Sequence, residues 1–435
     1  MCLVYNFIRF VRAEAKNFFL LNVLLTGAAA VNAQNVSSPY SILGIGDVDT
    51  KDFGRYFATG NASIARRDYA SYNFSNPASL TSLPFKTMNF DIAFRGRSSR
   101  FRSNEFDSAT MPSNDFIVKR ITGAFKVSDK AGFAVGLKPY SSVNYQYNAD
   151  KLILDGSSSY TKFVEGSGGI NQVYVSYGYM FGKHLSAGIT ASWLFGSVSR
   201  ETVYAGNNIN LLLQKNEVNR YSGGNFTGGL QYHAPAKKKW QHTIGVTFSG
   251  GTNMRGQQTV NYVEDTATVK TDNSNGTFRM PVSVSMGYSA TLNNAFVFSG
   301  EANYYNWPYQ KLNLNRSFTN PSARFSAGME YSKKVQYRDR STGATTILAE
   351  RYYLGWGVSA ENSYMHIKNK SVWDYSTSVG AGYNLSRSLS VYSGLEYGKK
   401  GSLNYGQIRE NYLQFIVGLT LKDIWIGPKY TRKYD

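Results

Sequence analysis

From residue 86 to the C-terminus, apolar and polar residues alternate along the chain at every second position. Within 88–94, for example, Met, Phe, Ile and Phe are separated by Asn, Asp and Ala. Successive side chains of a β-strand point to opposite faces, so this alternation predicts strands with one apolar and one polar face. Residues 39–83 show neither this period nor a long helical stripe.

The alternation recurs in about fourteen segments, which predicts an all-β protein. An even number of strands with one apolar face is what a bacterial membrane barrel requires. We therefore expect a transmembrane antiparallel β-barrel of about 14 strands over 85–422, with a polar interior. The expected strands are 86–96, 116–127, 132–147, 170–181, 185–198, 218–233, 240–250, 278–290, 295–305, 322–333, 350–361, 371–384, 388–398 and 410–422.

The connections between these segments alternate between short and long. Short ones include Gly182–His184 and Asn293–Asn294, whereas the long ones are 97–115, 148–169, 199–217, 251–277 and 306–321. Outer-membrane barrels have short periplasmic turns and long outer loops, which predicts that both chain termini, including a tail at 423–435, are periplasmic. The tenth connection, Lys334–Ala349, should be short and is long. Either that hairpin projects into the periplasm or the strand count is wrong there.

Composition favours a membrane barrel over a soluble β-protein. The chain has 33 Tyr, 26 Phe and 41 Gly, and its mean hydropathy is negative. No stretch approaches the ~18 consecutive apolar residues that indicate a transmembrane helix. A soluble periplasmic sandwich or propeller is the alternative, but such folds rarely combine this aromatic excess with alternating loop lengths.

The first 33 residues predict a cleaved signal peptide. Basic residues precede an apolar run at Phe18–Val31, and Val31–Ala33 has the small-x-small pattern of a cleavage site. An uncleaved anchor is the alternative, but the run is shorter than the ~20 residues that a spanning helix needs. Cleavage would remove Cys2, the only cysteine, leaving no thiol for a disulfide, a metal site or a nucleophile.

Residues 34–84 form a separate unit in the sequence. Small residues dominate Gly60–Ala65 and Ala78–Ser79, which would allow close packing, and Pro77 fixes a local turn. A barrel of about 14 strands has a lumen wider than that of an eight-stranded barrel, whose side chains alone fill it. An unfilled lumen would leak, so we predict that 34–84 is a plug inside the barrel.

The charge of the chain is strongly positive and fits a membrane partner. The net charge of +19 becomes +17 when three basic residues and one acidic residue leave with the signal peptide. We expect the basic residues to lie in loops and turns, facing membrane lipids and the anionic lipopolysaccharide of an outer leaflet. No aromatic-basic module of a known nucleic-acid-binding fold occurs, so no nucleic-acid partner is expected.

Motifs for catalysis are missing from the sequence. None of the four histidines, His184, His233, His242 and His366, has a second His, Asp or Glu at metal-ligand spacing. Walker, Gly-x-Ser-x-Gly and His-Glu-x-x-His motifs do not occur. We therefore expect no enzyme, no catalytic residues, no metal and no cofactor, although a Ser–His–acid set assembled from different strands is not excluded by sequence.

Pro139 interrupts the third expected strand. Proline has no N–H to donate to a ladder, so it marks a bulge, an edge or a kink. A closed barrel has no edge, and a kink would open a local gap in the wall. A bulge that only adjusts curvature is an equally open interpretation.

Two stretches before the first expected strand resemble a known family. Asn61–Asp68 reads Asn-Ala-Ser-Ile-Ala-Arg-Arg-Asp, and Asn76–Leu80 reads Asn-Pro-Ala-Ser-Leu. They resemble the hatch signature of the FadL-like (FadL/TodX) long-chain fatty-acid transporter family of outer-membrane proteins. The two ends of the mature chain are similar to the Bacteroidetes branch of that family. The resemblance assigns these residues to the plug or hatch: Asn61, Ala62, Ser63, Asp68, Asn76, Pro77 and Ala78.

The resemblance implies passive uptake of hydrophobic, fatty-acid-like molecules. In the transporters the hatch moves and the ligand leaves sideways through a kinked third strand, which corresponds here to Pro139, Tyr140 and Ser141. Related plugged barrels instead bind proteins in type IX secretion, or are accessory subunits of larger outer-membrane machines. The alternative function is therefore a structural or protein-binding subunit that contacts other outer-membrane proteins. No ligand-site residue is carried over by a motif.

Overall fold

The computed structural model describes residues 38–69, 71–104, 111–154, 158–206, 212–235, 239–264, 267–312, 317–337, 347–386 and 388–424. The expected signal peptide and almost all of the expected C-terminal tail lie outside this part of the chain. Within it, no helix is long and apolar enough to cross a membrane.

Antiparallel strands dominate the described residues. Their bounds are β1 Asp47–Val48, β2 Thr87–Arg102, β3 Met111–Lys126, β4 Ala131–Leu154, β5 Ser158–Phe181, β6 Leu185–Gly206, β7 Leu212–His233, β8 Trp240–Ser249, β9 Asn253–Glu264, β10 Ala267–Arg279, β11 Val282–Leu292, β12 Phe296–Asn306, β13 Ser317–Thr319, β14 Ser322–Tyr337, β15 Ile347–Ile367, β16 Lys370–Asn384, β17 Leu389–Lys400 and β18 Arg409–Ile424.

Fourteen of these strands form a closed wall. Each pairs with its neighbour in the chain, except that β8 pairs with β11 and β12 pairs with β14. Closure comes from β18 against β2, from Ile424 opposite Thr87 to Arg409 opposite Arg102. The other four strands, β1, β9, β10 and β13, are not members of this ring. The predicted fourteen-stranded antiparallel barrel is confirmed, and each expected segment corresponds to one wall strand.

The two faces of the wall differ as the alternation predicts. Large apolar side chains are exposed on the outside, including Phe226 at 64%, Met286 at 58% and Leu354 at 53%. The inward positions are polar and buried, as at Gln231 and Glu330. A continuous apolar outer surface of this kind is the lipid-facing band of a transmembrane barrel.

Five wall strands are much longer than the sequence predicts, and β15, with 21 residues, is one of them. β4 and β5 have 24 residues each, and β6 and β7 have 22 each, so they continue into the expected loops 148–169 and 199–217. A tilted strand needs only about 9–11 residues to cross a membrane. Each of these strands therefore extends beyond the membrane. Beyond the membrane both faces can be polar, so no alternation marks these extensions in the sequence.

A hairpin replaces another expected loop. β9 pairs with the extension of β7 from Leu213 opposite Glu264 to Ser222 opposite Arg255, and β10 pairs with β9. The prediction of a loop over 251–277 was therefore wrong. We call the sheet formed by the extensions of β4–β7 together with β9 and β10 the extended sheet.

The long tenth connection is explained by strand extension rather than by a wrong count. β14 and β15 stay paired as far as Tyr337 opposite Ile347, with a register shift at Lys333 and Lys334. The hairpin therefore projects at the end of the barrel that carries the short turns.

The residues before β2 adopt compact irregular structure. We call 38–83 the N-terminal segment. It contains three short 3-10 helices, η1 Pro39–Ile42, η2 Arg55–Thr59 and η3 Pro77–Ser82, and the two-residue strand β1. Most of its described side chains are buried, including Tyr56, Phe57 and Leu80.

Candidate functional site

The C-terminal part of the N-terminal segment packs against the inner face of β5, β6 and β7. Asn76 caps η3 by accepting a hydrogen bond from the Ala78 N–H at 3.1 Å, and Pro77 occupies the first turn, where its missing N–H costs nothing. The Asn76 amide also donates to the Leu230 carbonyl on β7 at 3.1 Å. A Cβ at Gly188 would lie 2.5 Å from the Pro77 carbonyl carbon. Glycine at this wall position therefore permits contact between the two backbones.

The middle of the segment contacts β14, β15 and β16. η2 ends at Gly60, whose φ of 65° is the left-handed conformation that favours glycine. A Cβ on Gly60 would lie 2.6 Å from the Val358 carbonyl oxygen. A Cβ at Gly355 would be 2.8 Å from the Ala58 Cβ. The segment thus touches the wall on both sides of the lumen.

Seven ion pairs connect the described part of the segment to the wall, and we call them the lumenal ion pairs. They are Asp47–Lys400, Asp49–Lys119, Lys51–Glu396, Asp52–Arg120, Arg55–Glu330, Arg55–Glu350 and Arg66–Glu330. Their wall partners lie on β3, β14, β15 and β17. The ion pairs therefore hold the segment from several directions.

Arg55 lies at the centre of the largest cluster. Its guanidinium lies 2.7 Å from Glu330, 2.6 Å from Glu350 and 3.0 Å from Asp68. Arg66 shares Glu330 at 2.9 Å. These side chains are at most about a tenth exposed. Arginine suits this position because its fixed fork of donors can bind several carboxylates at once.

The pKa of Asp47 shows how the surrounding cations act together. Burial alone would raise the pKa of the Asp47 carboxyl, but the attraction and hydrogen bond of Lys400, together with the attraction of Arg97 and Arg95, outweigh burial and hold that pKa below its usual range. The Lys400 Nζ lies 2.5 Å from the Asp47 carboxylate. Both groups are therefore charged at neutral pH.

The residues assigned to the plug make contacts within the segment or with the wall. Asn61 accepts from the Asp52 N–H at 3.0 Å, and the Ser63 N–H donates to Glu301 of β12 at 2.6 Å. Asp68 joins the Arg55 cluster. Ala62 and Ala78 are almost fully buried. Together with Asn76 and Pro77, these residues lie along the inner face of the wall rather than in one pocket.

Pro139, Tyr140 and Ser141 mark the place where β3 and β4 separate. The two strands pair only from Ile121 opposite Leu137 to Lys126 opposite Gly132. Against β5, the register of β4 shifts between Pro139 and Ser141, which leaves Tyr140 as a bulge. The missing proline N–H and the bulge together bend the strand away from β3.

The N-terminal segment occupies the edge of β4 that β3 leaves free. β1 pairs with β4 through Asp47 opposite Ser142 and Val48 opposite Ser141. The Asp49 N–H donates to the Tyr140 carbonyl at 2.9 Å, and the Ser141 hydroxyl donates to the Ile45 carbonyl at 2.7 Å. The residues predicted at a lateral opening therefore contact the residues predicted to form the plug.

A cavity of about 250 Å³ lies between the segment and the wall. Its lining is largely polar and charged, including Asp49, Lys51, Lys138, Asn303, Arg324 and Glu361. Beside it, an apolar cluster joins the start of the segment to residues of the extended sheet and the connections near it. Tyr40, Leu43 and Ile45 pack there with Met254 and Phe278.

Sequence reasoning missed the charged residues inside the wall. It placed basic residues in loops and turns, whereas Lys119, Arg120, Arg324 and Lys400 lie on strands and point inward. Part of the signal was present, because Arg120, Arg324 and Lys400 each occupy a polar position of the alternation. Lys119 is the extra residue at the register shift between β2 and β3 and does not follow the alternation. The acidic partners of these cations come from distant parts of the chain, so sequence alone did not pair them.

The structure describes no cluster suited to a metal ion. Among the described residues, no group of three or more His, Cys, Asp or Glu side chains is arranged to hold one. His184 and His233 do meet across the β6–β7 pairing, with ring centroids 5.6 Å apart. The His184 Nδ1 lies 3.0 Å from the His233 carbonyl oxygen.

Solved structures of outer-membrane channels share this fold. A Pseudomonas aeruginosa FadL homologue is 10% identical, with a TM-score of 0.56, covering 87% of this chain and 98% of that chain. The Pseudomonas putida toluene transporter TodX is 14% identical, with a TM-score of 0.56, covering 86% and 98%. The CymD monoaromatic hydrocarbon channel is 14% identical, with a TM-score of 0.54, covering 85% and 96%. At these identities the likeness concerns the fold, and it supports an outer-membrane location.

The family comes from sequence. No curated protein matches the chain. The predicted resemblance to FadL-like proteins is confirmed for the fold, but the family model that matches is a different one. That model, described as BamG, covers residues 15–435, and the chain therefore belongs to the BamG family.

Proposed function

We propose that this protein is a permanently plugged outer-membrane barrel that acts as a structural or protein-binding subunit of a secretion or assembly machine. The observation that carries the proposal is the set of lumenal ion pairs between the N-terminal segment and the wall. A plug that must move for every molecule transported would be held by contacts that are easily broken.

Moving the segment would separate buried charges. Breaking a buried ion pair while its charges stay out of water costs about 3–5 kcal/mol. Separating several at once would approach the roughly 5–15 kcal/mol by which typical proteins are stable. The cavity is also lined by many charged side chains, such as Lys51, Arg324 and Glu361, whereas sites for hydrophobic ligands are lined predominantly by apolar side chains. Both features support a fixed plug.

The extended sheet offers a surface for a protein partner. We propose that it lies outside the cell, since short turns are periplasmic in such barrels. β10 pairs only with β9 among the described residues, and every residue from Ala267 to Thr277 is exposed. A free strand edge presents unpaired N–H and C=O groups that another chain can bind. We infer that the partner adds a strand to β10.

Shortening the β9–β10 hairpin tests this role. Deleting 257–275 joins Gly256 to Gly276, which lie directly opposite each other, and Gly-Gly is favourable in a two-residue hairpin turn. Met254 and Phe278 remain in the apolar cluster. A control variant, Lys183→Glu, alters an exposed residue in a short turn at the other end of the barrel.

We expect the unaltered protein and the control to co-purify from native membranes with a stoichiometric protein partner, identified by mass spectrometry. The hairpin deletion should reach the membrane in equal amount and lose that partner. Co-purification of tightly bound lipid or hydrocarbon without any protein would overturn the proposal. An unchanged partner after the deletion would move the binding surface away from β10.

Uptake of hydrophobic small molecules is the second candidate function. The separation of β3 and β4 beyond Leu137 favours it, because such a gap could connect the lumen with the membrane. Since β1 now occupies that edge of β4, the route would require the segment to leave its strand pairing. For both candidate functions, protein binding and uptake, the channel-like fold supports a role other than catalysis.

A further inference from the structure

A row of cations lies on the outer surface of the wall, at the end opposite the short turns. Lys399 on β17 is opposite Asn411 on β18, and Asn411 is opposite Arg100 on β2. One step further along, Arg409 is opposite Arg102. Lys399, Arg100 and Arg102 are exposed. We call these four cations the basic row.

The basic row has no anionic partner in the described structure. The acidic residues nearest to it in the strand ladder, Asp374 on β16, Glu396 on β17 and Glu410 on β18, point into the lumen, where they accept hydrogen bonds from Tyr412 or Arg97. The Arg409 Nε is buried and makes no hydrogen bond. Like charges directly opposite each other destabilise a strand pair by up to about 1 kcal/mol. Arg409 and Arg102 therefore carry a cost that a bound anion would remove.

A recess with aromatic walls adjoins the basic row. Trp373 and Tyr375 stack with ring centroids 5.7 Å apart, and Lys370 lies 5.1 Å from the ring centroid of Tyr405. These side chains and Lys399 line a recess of about 500 Å³. Trp and Tyr are typical of the headgroup level of a membrane, where an apolar ring can carry a polar edge.

The surface becomes apolar immediately toward the middle of the wall. Tyr397, Leu395 and Leu413 are more than half exposed there. From the end of the barrel toward the middle of the wall, the outer surface is thus first cationic, then aromatic and then aliphatic. An amphiphile with an anionic head and acyl chains matches all three.

We propose that the basic row and its recess bind the phosphate of an acylated glycolipid of the outer leaflet, the lipid A part of lipopolysaccharide. Phosphate accepts charge-assisted, bidentate hydrogen bonds from arginine. Arg102 on β2 and Arg409 on β18 supply two such guanidinium groups. The sugar lies in the aromatic recess and the acyl chains lie along Leu395 and Leu413. This site is independent of the proposed partner surface on β10.

The test compares two charge-matched variants of the full chain in nanodiscs. Arg100→Gln, Lys399→Gln and Arg409→Gln together remove three cations of the site. The control triple, Lys86→Gln, Lys130→Gln and Lys183→Gln, removes three exposed lysines near the other end of the wall. Binding of diphosphorylated lipid A is measured by native mass spectrometry, with dephosphorylated lipid A, phosphatidylglycerol and inorganic phosphate as competing probes.

We expect the site variant to bind lipid A on the order of 100-fold more weakly, since each cation near an anionic membrane surface contributes about 1 kcal/mol. The control triple should bind as the unaltered protein does. Dephosphorylated lipid A should bind weakly to every form. Equal loss in both triples, or equal affinity for phosphatidylglycerol, would overturn the assignment. Displacement of lipid A by millimolar inorganic phosphate would reduce the site to one for free anions and would also overturn it.

Discussion

Arg55 contributes more than any other described residue to holding the N-terminal segment against the wall. Its guanidinium forms ion pairs with Glu330 and Glu350 of the wall and with Asp68 of the segment, and it stacks 4.0 Å from the ring centroid of Tyr353. Within the described part of the chain, the hydrogen bonds of the neighbouring Arg67 go to neutral side chains, Ser186 and Gln231. The two arginines therefore differ in role although both belong to the same segment.

Replacing Arg55 with Met should lower the free energy of unfolding by about 3–5 kcal/mol, because buried carboxylates would lose their partner. Arg67→Met should cost clearly less. Urea-induced unfolding in lipid vesicles measures both values. Adding Glu350→Gln to Arg55→Met should recover part of the loss by removing one uncompensated charge. Equal losses for Arg55→Met and Arg67→Met would contradict a special role for the Arg55 cluster.

At this scale the sequence predicted some residues and missed others. A local turn was predicted at Pro77, and the structure has the start of η3 there, with Asn76 as its cap and Pro77 in the first turn. The ion pairs were not readable, since Arg55 and Glu350 lie 295 positions apart. A charged residue at a buried position indicates that an oppositely charged partner exists, but it does not identify that partner.

The kink of β4 has two interpretations: a bulge that adjusts the wall, or an exit from the lumen. Pro139 lies at the shift in register against β5, just after pairing with β3 ends. On the proposal of a fixed plug, the kink lets β1 of the N-terminal segment pair with the edge of β4. An exit for ligands would need the same edge of β4 to be open.

Pro139→Val should therefore leave uptake of labelled fatty acid or toluene into cells unchanged, at the level of cells without the protein. The matched variant Pro281→Val alters a proline outside the kink, in the connection between β10 and β11. Uptake that depends on the protein and falls selectively with Pro139→Val would favour the second candidate function and count against a fixed plug.

Strands were predictable from the sequence only where lipid lies on one side. The short strands β8, β11 and β12 alternate cleanly and were predicted within about three or four residues. The hairpin of β9 and β10 was missed because both of its faces meet water, which leaves the apolar–polar period without a cause. The same reason hid the extensions of β4 to β7.

For the whole molecule, the wall and the N-terminal segment form one interlocked structure. The segment starts near the extended sheet, where Tyr40 donates to the Ile408 carbonyl at 2.5 Å, and ends beside the short turn between β3 and β4, where Lys126 donates to the Thr81 carbonyl at 2.7 Å. It therefore follows the lumen along its length. The central claim is that this arrangement stays closed while the protein works.

A disulfide between segment and wall tests that claim most directly. The Ile64 Cβ lies 3.0 Å from the position of a Cβ at Gly287 on β11, so a small shift would give the 3.5–4.5 Å spacing of a disulfide. Ile64→Cys with Gly287→Cys would be expressed in cells lacking the native protein, with each single variant as its control. Cross-linking is quantified by mass spectrometry, and function by recovery of the protein partner and by growth.

We predict that the cross-linked protein recovers its partner and supports growth as well as the unaltered protein, with or without a reducing agent. A cross-linked protein that loses function and regains it on reduction would contradict the fixed plug.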